Sequence, residues 1–268
     1  MGIIISKICA NDLNCCTVNK CKNYIDKSIN KMIFYPPNTP KKWFYELNNE
    51  RSKLFFLNSS SGNLINCIYI LPNIKSDKYL VFCQGNASDI YASYDFLIYL
   101  SNELNINIIC FDYSGYGLSS GKPSEKNCYK DISSLIYYLN FFLFIPNERI
   151  ILMGHSLGTG IIVDYAYKND WISPIILISA YKTIIKVVYD NNLCKIIDKF
   201  KTEDKIGYLN CPIKFFHGEK DDVVDISHGK YLYKKIKNKK INPSWINEAN
   251  HVDILNLMDL TEIKIIIS

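Results

Sequence analysis

Apolar positions along the chain fall into short continuous runs separated by longer stretches at helical spacing. The runs Tyr79–Cys83, Asn107–Phe111, Ile150–Met153, Ile175–Ile178 and Ile213–Phe216 do not alternate with polar residues, which predicts strands buried on both faces. Ser244–Ile246 is a weaker last strand. Upstream, Lys53–Leu57 and Leu64–Leu71 flank Ser59-Ser60-Ser61-Gly62-Asn63, the composition of a hairpin turn. The expected architecture is α/β: a mostly parallel sheet of about eight strands with helices on both faces. In such sheets chemistry collects at the carboxyl ends of the strands.

The rest of the pattern refines this picture. Ile132 to Asn147 is uncharged and closed by Pro146; at about fifteen residues it is short of the ~20 that span a bilayer, and it reads as a buried helix. Tyr181 to Leu209 carries Ile184, Ile185, Val188, Leu193, Ile196 and Ile197, which suggests one or two amphipathic helices and at most a small cap. Two parts are expected: a tail over residues 1–30 and one catalytic domain over 31–268.

Composition narrows the class. With 48% hydrophobic residues in 268, the chain buries a sizeable core. The net charge of +5 is modest and no basic stripe alternates with stacking aromatics, which disfavours a nucleic-acid partner. The run Lys234-Lys235-Ile236-Lys237-Asn238-Lys239-Lys240 reads as a solvated helix end, with a membrane-facing patch as the alternative. No signal-peptide pattern opens the chain, so a reducing compartment is expected. Accordingly Cys67, Cys83, Cys110, Cys128, Cys194 and Cys211, dispersed without Cys-x-x-Cys spacing, read as free thiols and not as a zinc site. No metal and no cofactor is implied.

The remaining cysteines, Cys9, Cys15, Cys16 and Cys21, crowd the first residues behind Met1-Gly2-Ile3-Ile4-Ile5-Ser6, which fits the Met-Gly-x-x-x-Ser pattern for myristoylation of Gly2. A single myristoyl chain binds membranes only marginally, and S-acylation at Cys9, Cys15 or Cys16 would supply the second signal that stable attachment requires. The expected location is the cytoplasmic face of a membrane, held peripherally through this tail.

The most informative segment is Ile150 to Val163, where Gly154-His155-Ser156-Leu157-Gly158 joins an apolar strand to a helical pattern. Gly-x-Ser-x-Gly in that context is a nucleophile elbow, and Ser156 is the candidate nucleophile. Gly117-Leu118-Ser119-Ser120-Gly121 has the same spacing, but Lys122-Pro123-Ser124 follows it as a turn, so Ser119 reads as part of a glycine-rich loop. A serine hydroxyl needs an imidazole to take its proton and a carboxylate to orient that imidazole, in the order Ser, acid, His for this motif. Of the four histidines, His251 follows the last strand on a loop able to reach back over Ser156, and it is the candidate base. The acid falls in Lys220-Asp221-Asp222-Val223-Val224-Asp225: Asp221 first, Asp222 in reserve, Asp225 as a helix cap. Oxyanion donors are expected from the amide of Leu157 and, in the loop Gln84-Gly85-Asn86-Ala87 after the third strand, from Asn86, with Ala87 in reserve.

These segments, with Phe111-Asp112-Tyr113-Ser114-Gly115-Tyr116-Gly117, Pro123-Ser124-Glu125-Lys126-Asn127, His217-Gly218, Ser227-His228-Gly229 and Ala249-Asn250-His251, resemble the lipid-anchored depalmitoylases of the α/β-hydrolase superfamily, the domain-containing-seventeen group, and more broadly BEM46-type serine hydrolases. The resemblance runs from about Phe82 onward. It implies the α/β-hydrolase fold, a triad of Ser156, Asp221 and His251, an acylated cysteine-rich N-terminus, and S-acylated membrane proteins as substrates. It also implies histidine before Gly85, where this chain has Gln84, and an anchor that is not usually glycine-led. The function expected is hydrolysis of fatty-acyl thioesters on proteins. Lysophospholipids or small carboxylic esters are the alternative substrates, and a non-catalytic scaffold would require a lost triad member.

Overall fold

The computed structural model describes residues 27–188, 198–237 and 241–267. The chain divides into two units, Met1–Ile33 and Phe34–Ser268. In the first, residues 27–33 are helical. Gly2, Cys9, Cys15, Cys16 and Cys21 lie outside the described residues, as does Cys194.

The second unit follows the order α1 (Lys41–Tyr45), β1 (Ser52–Asn58), β2 (Leu64–Ile70), β3 (Tyr79–Cys83), α2 (Ile90–Leu104), β4 (Asn107–Phe111), α3 (Glu125–Phe141), β5 (Ile150–His155), α4 (Leu157–Lys168), β6 (Ile175–Ile178), α5 (Ile184–Val188), β7 (Ile213–Gly218), α6 (Ile226–Lys235), β8 (Ser244–Ile246), α7 (Ile254–Leu257) and α8 (Leu260–Ile267). One eight-stranded sheet has the order β1-β2-β4-β3-β5-β6-β7-β8. β2 pairs antiparallel with β1 and with β4. All later pairings are parallel. The chain passes from β3 to β4 on one side and then to β5 on the other, so the strand order reverses at β3. The carboxyl ends of β3 and β5 therefore flank the crevice where doubly wound sheets place their ligands.

Local chemistry sets the elements. Every residue of β4, β5 and β6 is buried, as their unbroken apolar runs require. Asp89, Ser124 and Asp225 cap α2, α3 and α6, accepting the amides of Ala92 (2.9 Å), Asn127 (3.1 Å) and Ser227 (2.9 Å). In the β1–β2 hairpin, Gly62 takes φ +85° in the turn closed by Ser59 N–H to Asn63 O at 2.8 Å.

The stretch Ile132 to Asn147 departs from expectation. Its helix ends at Phe141, and Phe141, Phe142 and Phe144 are 63%, 63% and 84% exposed. Phe144 enters the left-handed region at φ 56°, and Asn140 Nδ2 bonds the Ile145 carbonyl at 2.7 Å, so the chain turns out of the helix before Pro146. Within the Tyr181–Leu209 insertion the described elements are α5 and two short 3₁₀ turns, Thr202–Asp204 and Ile206–Tyr208. Residues 189–197 lie outside the described residues, as do 238–240 of the lysine run.

The approach of α4 to the sheet fixes the crevice. A Cβ on Gly154 would stand 2.7 Å from the carbonyl carbon of Gly158, and one on Gly158 would land on the carbonyl oxygen of Cys83. Both obstacles are backbone and cannot rotate aside. Gly158→Ala is expected to destabilise the fold by roughly 3 kcal/mol, because overpacking here displaces α4 from β3; urea unfolding of variant and wild type measures the loss.

Candidate active site

Ser156 sits between the last residue of β5 and the first of α4, at φ 50° and ψ −116°. A non-glycine residue there is strained, and the surrounding structure must hold it. Its amide donates to the Ile178 carbonyl at 2.9 Å, and its own carbonyl accepts from Thr159 N–H at 2.9 Å and Thr159 Oγ1 at 2.7 Å. The hydroxyl is thereby lifted off the sheet edge.

His251 Nε2 lies 2.9 Å from Ser156 Oγ, and His251 Nδ1 lies 2.9 Å from each Asp221 carboxylate oxygen. A carboxylate accepts only, so Nδ1 carries the hydrogen and Nε2 is left to accept from the serine. Asp221 Oδ1 also accepts the amides of Val223 (3.0 Å) and Val224 (2.8 Å). Burial opposes charge on this carboxyl, but hydrogen bonds from His251 and Val224 together with the attraction of His251 hold it down at about 2. Asp222, the reserve acid, is exposed one residue further on.

Two more histidines border this pair. His155 Nε2 lies 2.9 Å from the backbone carbonyl of His251, and the two rings are 5.1 Å apart. His217 Nε2 lies 2.7 Å from the carbonyl of Val224 and 3.5 Å from Asp221 Oδ2. Burial lowers both, and His155, also repelled by His251, falls to about 4. The His155 contact was not legible in the chain, because its partner is 96 residues away. The available signal was a polar ring inside an apolar strand, which must find some acceptor.

Leu157 opens α4, so its amide has no acceptor within the helix and points out at the positive end of the helix dipole, beside Ser156. Facing it is the loop after β3. Asn86 Oδ1 accepts from the Tyr35 amide (3.1 Å) and the Tyr116 hydroxyl (2.8 Å), which fixes the loop at its turn. Gln84 is fully buried, its Nε2 donating to Asp112 Oδ1 at 3.1 Å. Asp112 also receives Asn66 Nδ2 (2.9 Å) and the Ile90 amide (2.8 Å), so it ties the loop to both β2 and α2. Burial pushes its carboxyl up to about 6 against the pull of those donors. Gln84, where the resemblance implies histidine, thus anchors the loop to Asp112. Ala87 is exposed. Ser119, in the second Gly-x-Ser-x-Gly, donates to the Asp112 carbonyl and accepts the Asn66 amide, both at 2.8 Å, and serves the loop.

Among the described residues no cluster of three or more His, Cys, Asp or Glu could hold a metal ion, and no helix is long and apolar enough to cross a membrane.

Residues 78–195 match the family described as alpha/beta hydrolase fold. A protein of Acanthamoeba polyphaga mimivirus described as an alpha/beta hydrolase is 43% identical over 91% of this chain and 94% of its own. Alpha/beta hydrolase domain-containing protein 17C of Mus musculus is 36% identical over 75% of this chain; the match covers 63% of that protein's length. Among solved structures, the Pyrococcus furiosus esterase Pf2001 superposes with a TM-score of 0.67 at 17% identity, over 87% of this chain and 95% of that one. Butyrivibrio proteoclasticus Est1E, solved with ferulic acid, superposes at 0.65 and 19%, over 78% and 96%. An elbow of this geometry, on a sheet of this order, in a chain so similar to these relatives over most of its length, is that of a member of the α/β-hydrolase family.

Proposed function

We propose that the protein is a serine hydrolase that cleaves fatty-acyl thioesters from S-acylated proteins at the cytoplasmic face of a membrane. The observation that carries the reading is the continuous relay Ser156 Oγ, His251, Asp221, each link at 2.9 Å, on a strained elbow. Ser156 Oγ attacks the acyl carbonyl carbon while His251 Nε2 takes its proton, and Asp221 stabilises the imidazolium. The tetrahedral oxyanion is met by the amides of Leu157 and Asn86, each worth about 3–4 kcal/mol where such donors have been removed. Collapse breaks the carbon–sulfur bond and the departing thiolate receives the proton from His251. Water then attacks the acyl-enzyme and gives its proton to His251; the carbon–oxygen bond to Ser156 breaks, Ser156 Oγ takes that proton back, and the fatty acid leaves.

The substrate class rests on the resemblance to lipid-anchored depalmitoylases and on the tail, where Gly2 fits a myristoylation site beside Cys9, Cys15 and Cys16. Val223 and Val252, two residues after Asp221 and one after His251, are 51% and 72% exposed and offer apolar surface to an acyl chain. Lysophospholipase or general carboxylesterase activity would use the same relay.

Purified protein is expected to hydrolyse a fatty-acyl thioester faster than the matched oxyester, and Ser156→Ala to abolish both; a clear oxyester preference moves the assignment to a lipid or general esterase, and Ser156-independent turnover removes the relay from it.

The carboxylate of Asp221 yields a stability prediction. In the folded chain it stays ionised down to about 2, whereas an unfolded Asp titrates near ~3.9. Its contribution is therefore present above that higher value and disappears as pH falls toward the lower one. Urea unfolding of wild type between about pH 5 and 2 should show an acid-side loss that Asp221→Asn lacks, and the variant should lose kcat by on the order of 10³-fold or more at neutral pH.

Gly2→Ala should shift the protein from the membrane to the soluble fraction while activity on a soluble ester stays unchanged, as should Cys9, Cys15 and Cys16 changed together to Ser; fractionation reads both.

A further inference from the structure

His155 belongs to the elbow yet takes no part in the relay as drawn. Its acceptor, the His251 backbone carbonyl, has no proton to give, so Nε2 carries the hydrogen and donates it across 2.9 Å. Buried beside His251, with Asp221 and His217 the other titratable groups acting on it, the ring has its pKa lowered to about 4 and is neutral at working pH, with that single N–H. Nδ1, on the ring's other edge, faces the oxyanion loop: a Cβ on Gly85 would stand 3.1 Å from it.

The loop that presents His251 is closed mainly upon itself. Asn250 N–H donates to Asp253 Oδ1 (2.6 Å), and Asn250 Oδ1 accepts the amides of Val252 (2.8 Å) and Asp253 (3.0 Å). Lys220 N–H bonds the Ala249 carbonyl at 3.0 Å, ahead of this turn. At the base itself the backbone is tied to the sheet through His155. The imidazole meets Asp221 at Nδ1 and Ser156 at Nε2, and both contacts depend on the backbone that carries the ring staying in place.

We infer that His155 is a positioning residue: its Nε2–H···O=C bond to His251 fixes the backbone from which the base reaches Ser156, while its opposite edge sets how closely the Gly85 loop approaches the elbow. One side chain, next in sequence to the nucleophile, thereby registers the base loop and the oxyanion loop against the serine. This rests on the serine-hydrolase reading of Ser156, His251 and Asp221.

The test compares the full chain with His155→Phe, which keeps a planar ring without a donor, and His155→Gln, which restores an N–H at similar reach. A fluorophosphonate probe reads the relay without assuming a substrate: Ser156 Oγ forms the P–O bond, fluoride leaves, and the hydroxyl proton passes to His251. His155→Phe should be labelled on the order of 10- to 100-fold more slowly, as expected for a displaced catalytic group. It should lose kcat on a soluble ester by a similar factor while KM stays within about twofold, since the substrate's own contacts are intact. His155→Gln should recover most of both. If His155→Phe does not fold by thermal unfolding, His155→Met takes its place, being unbranched and adaptable in a packed site. Labelling of the folded donor-free variant at the wild-type rate overturns the inference, as does a folded His155→Gln that recovers nothing. A wild-type chain that the probe does not label at Ser156 overturns instead the reading on which the inference stands.

Discussion

The close approach of α4 to β3 and β5 is the constraint on which the rest of the structure depends. Ser156 can occupy φ 50° only because the strand before it and the helix after it are both pinned, and they are pinned where Gly154, Gly158 and the Cys83 carbonyl leave no room for a side chain. Strain at a single residue costs on the order of 1–3 kcal/mol, and the buried parallel strands around it hold it in place. The same approach brings the end of β3 beside the helix N-terminus. The loop after β3, the proposed oxyanion loop, and the Leu157 amide therefore face one another by construction, without a dedicated element to bring them together.

Around that fixed point the polar groups are arranged so that each ionisable one has a reason for its charge state. Asp221 is kept ionised by His251 and two backbone amides. His155 and His217 are kept neutral by burial and spend their N–H groups on carbonyls of the base loop and the acid loop respectively. Asp112, whose carboxyl burial pushes up to about 6, stands behind the loop after β3 and accepts three donors from three different segments. Its burial is the cost of anchoring Gln84 and the start of α2 to one point.

The strands were legible because burial on both faces leaves a signature that needs no partner: Tyr79–Cys83, Asn107–Phe111 and Ile175–Ile178 have the bounds their apolar runs suggest. The order of Ser156, Asp221 and His251 was legible because the motif dictates it, and the structure brings these three within hydrogen-bonding distance. What could not be read was decided by tertiary context. An uncharged run continues past Phe141 with no composition change to mark the helix end, yet the chain turns at Phe144 and exposes aromatic rings that periodicity assigns to a core. Likewise His155 looks like a spare histidine until folding brings a carbonyl 96 residues away against it, and His217 until the loop after its own strand curls back to offer the Val224 carbonyl.

The relay itself does not choose between a thioester and an oxyester. A thiol is far more acidic than an alcohol, with cysteine near ~8.5, so a thiolate departs with less help from the protonated His251 than an alkoxide requires. An enzyme whose base is well positioned therefore serves both, and thioester preference must come from binding. Two sources of binding are compatible with this chain. Burying an acyl chain contributes about 0.8 kcal/mol per methylene, enough for a modest apolar surface near Val223 and Val252 to favour long chains over short esters. A tail held in the same membrane as the substrate would add an effective concentration that no contact in the catalytic domain has to supply. Selectivity would then reside mostly in where the enzyme is held, and the catalytic domain could remain a general acyl-transfer machine.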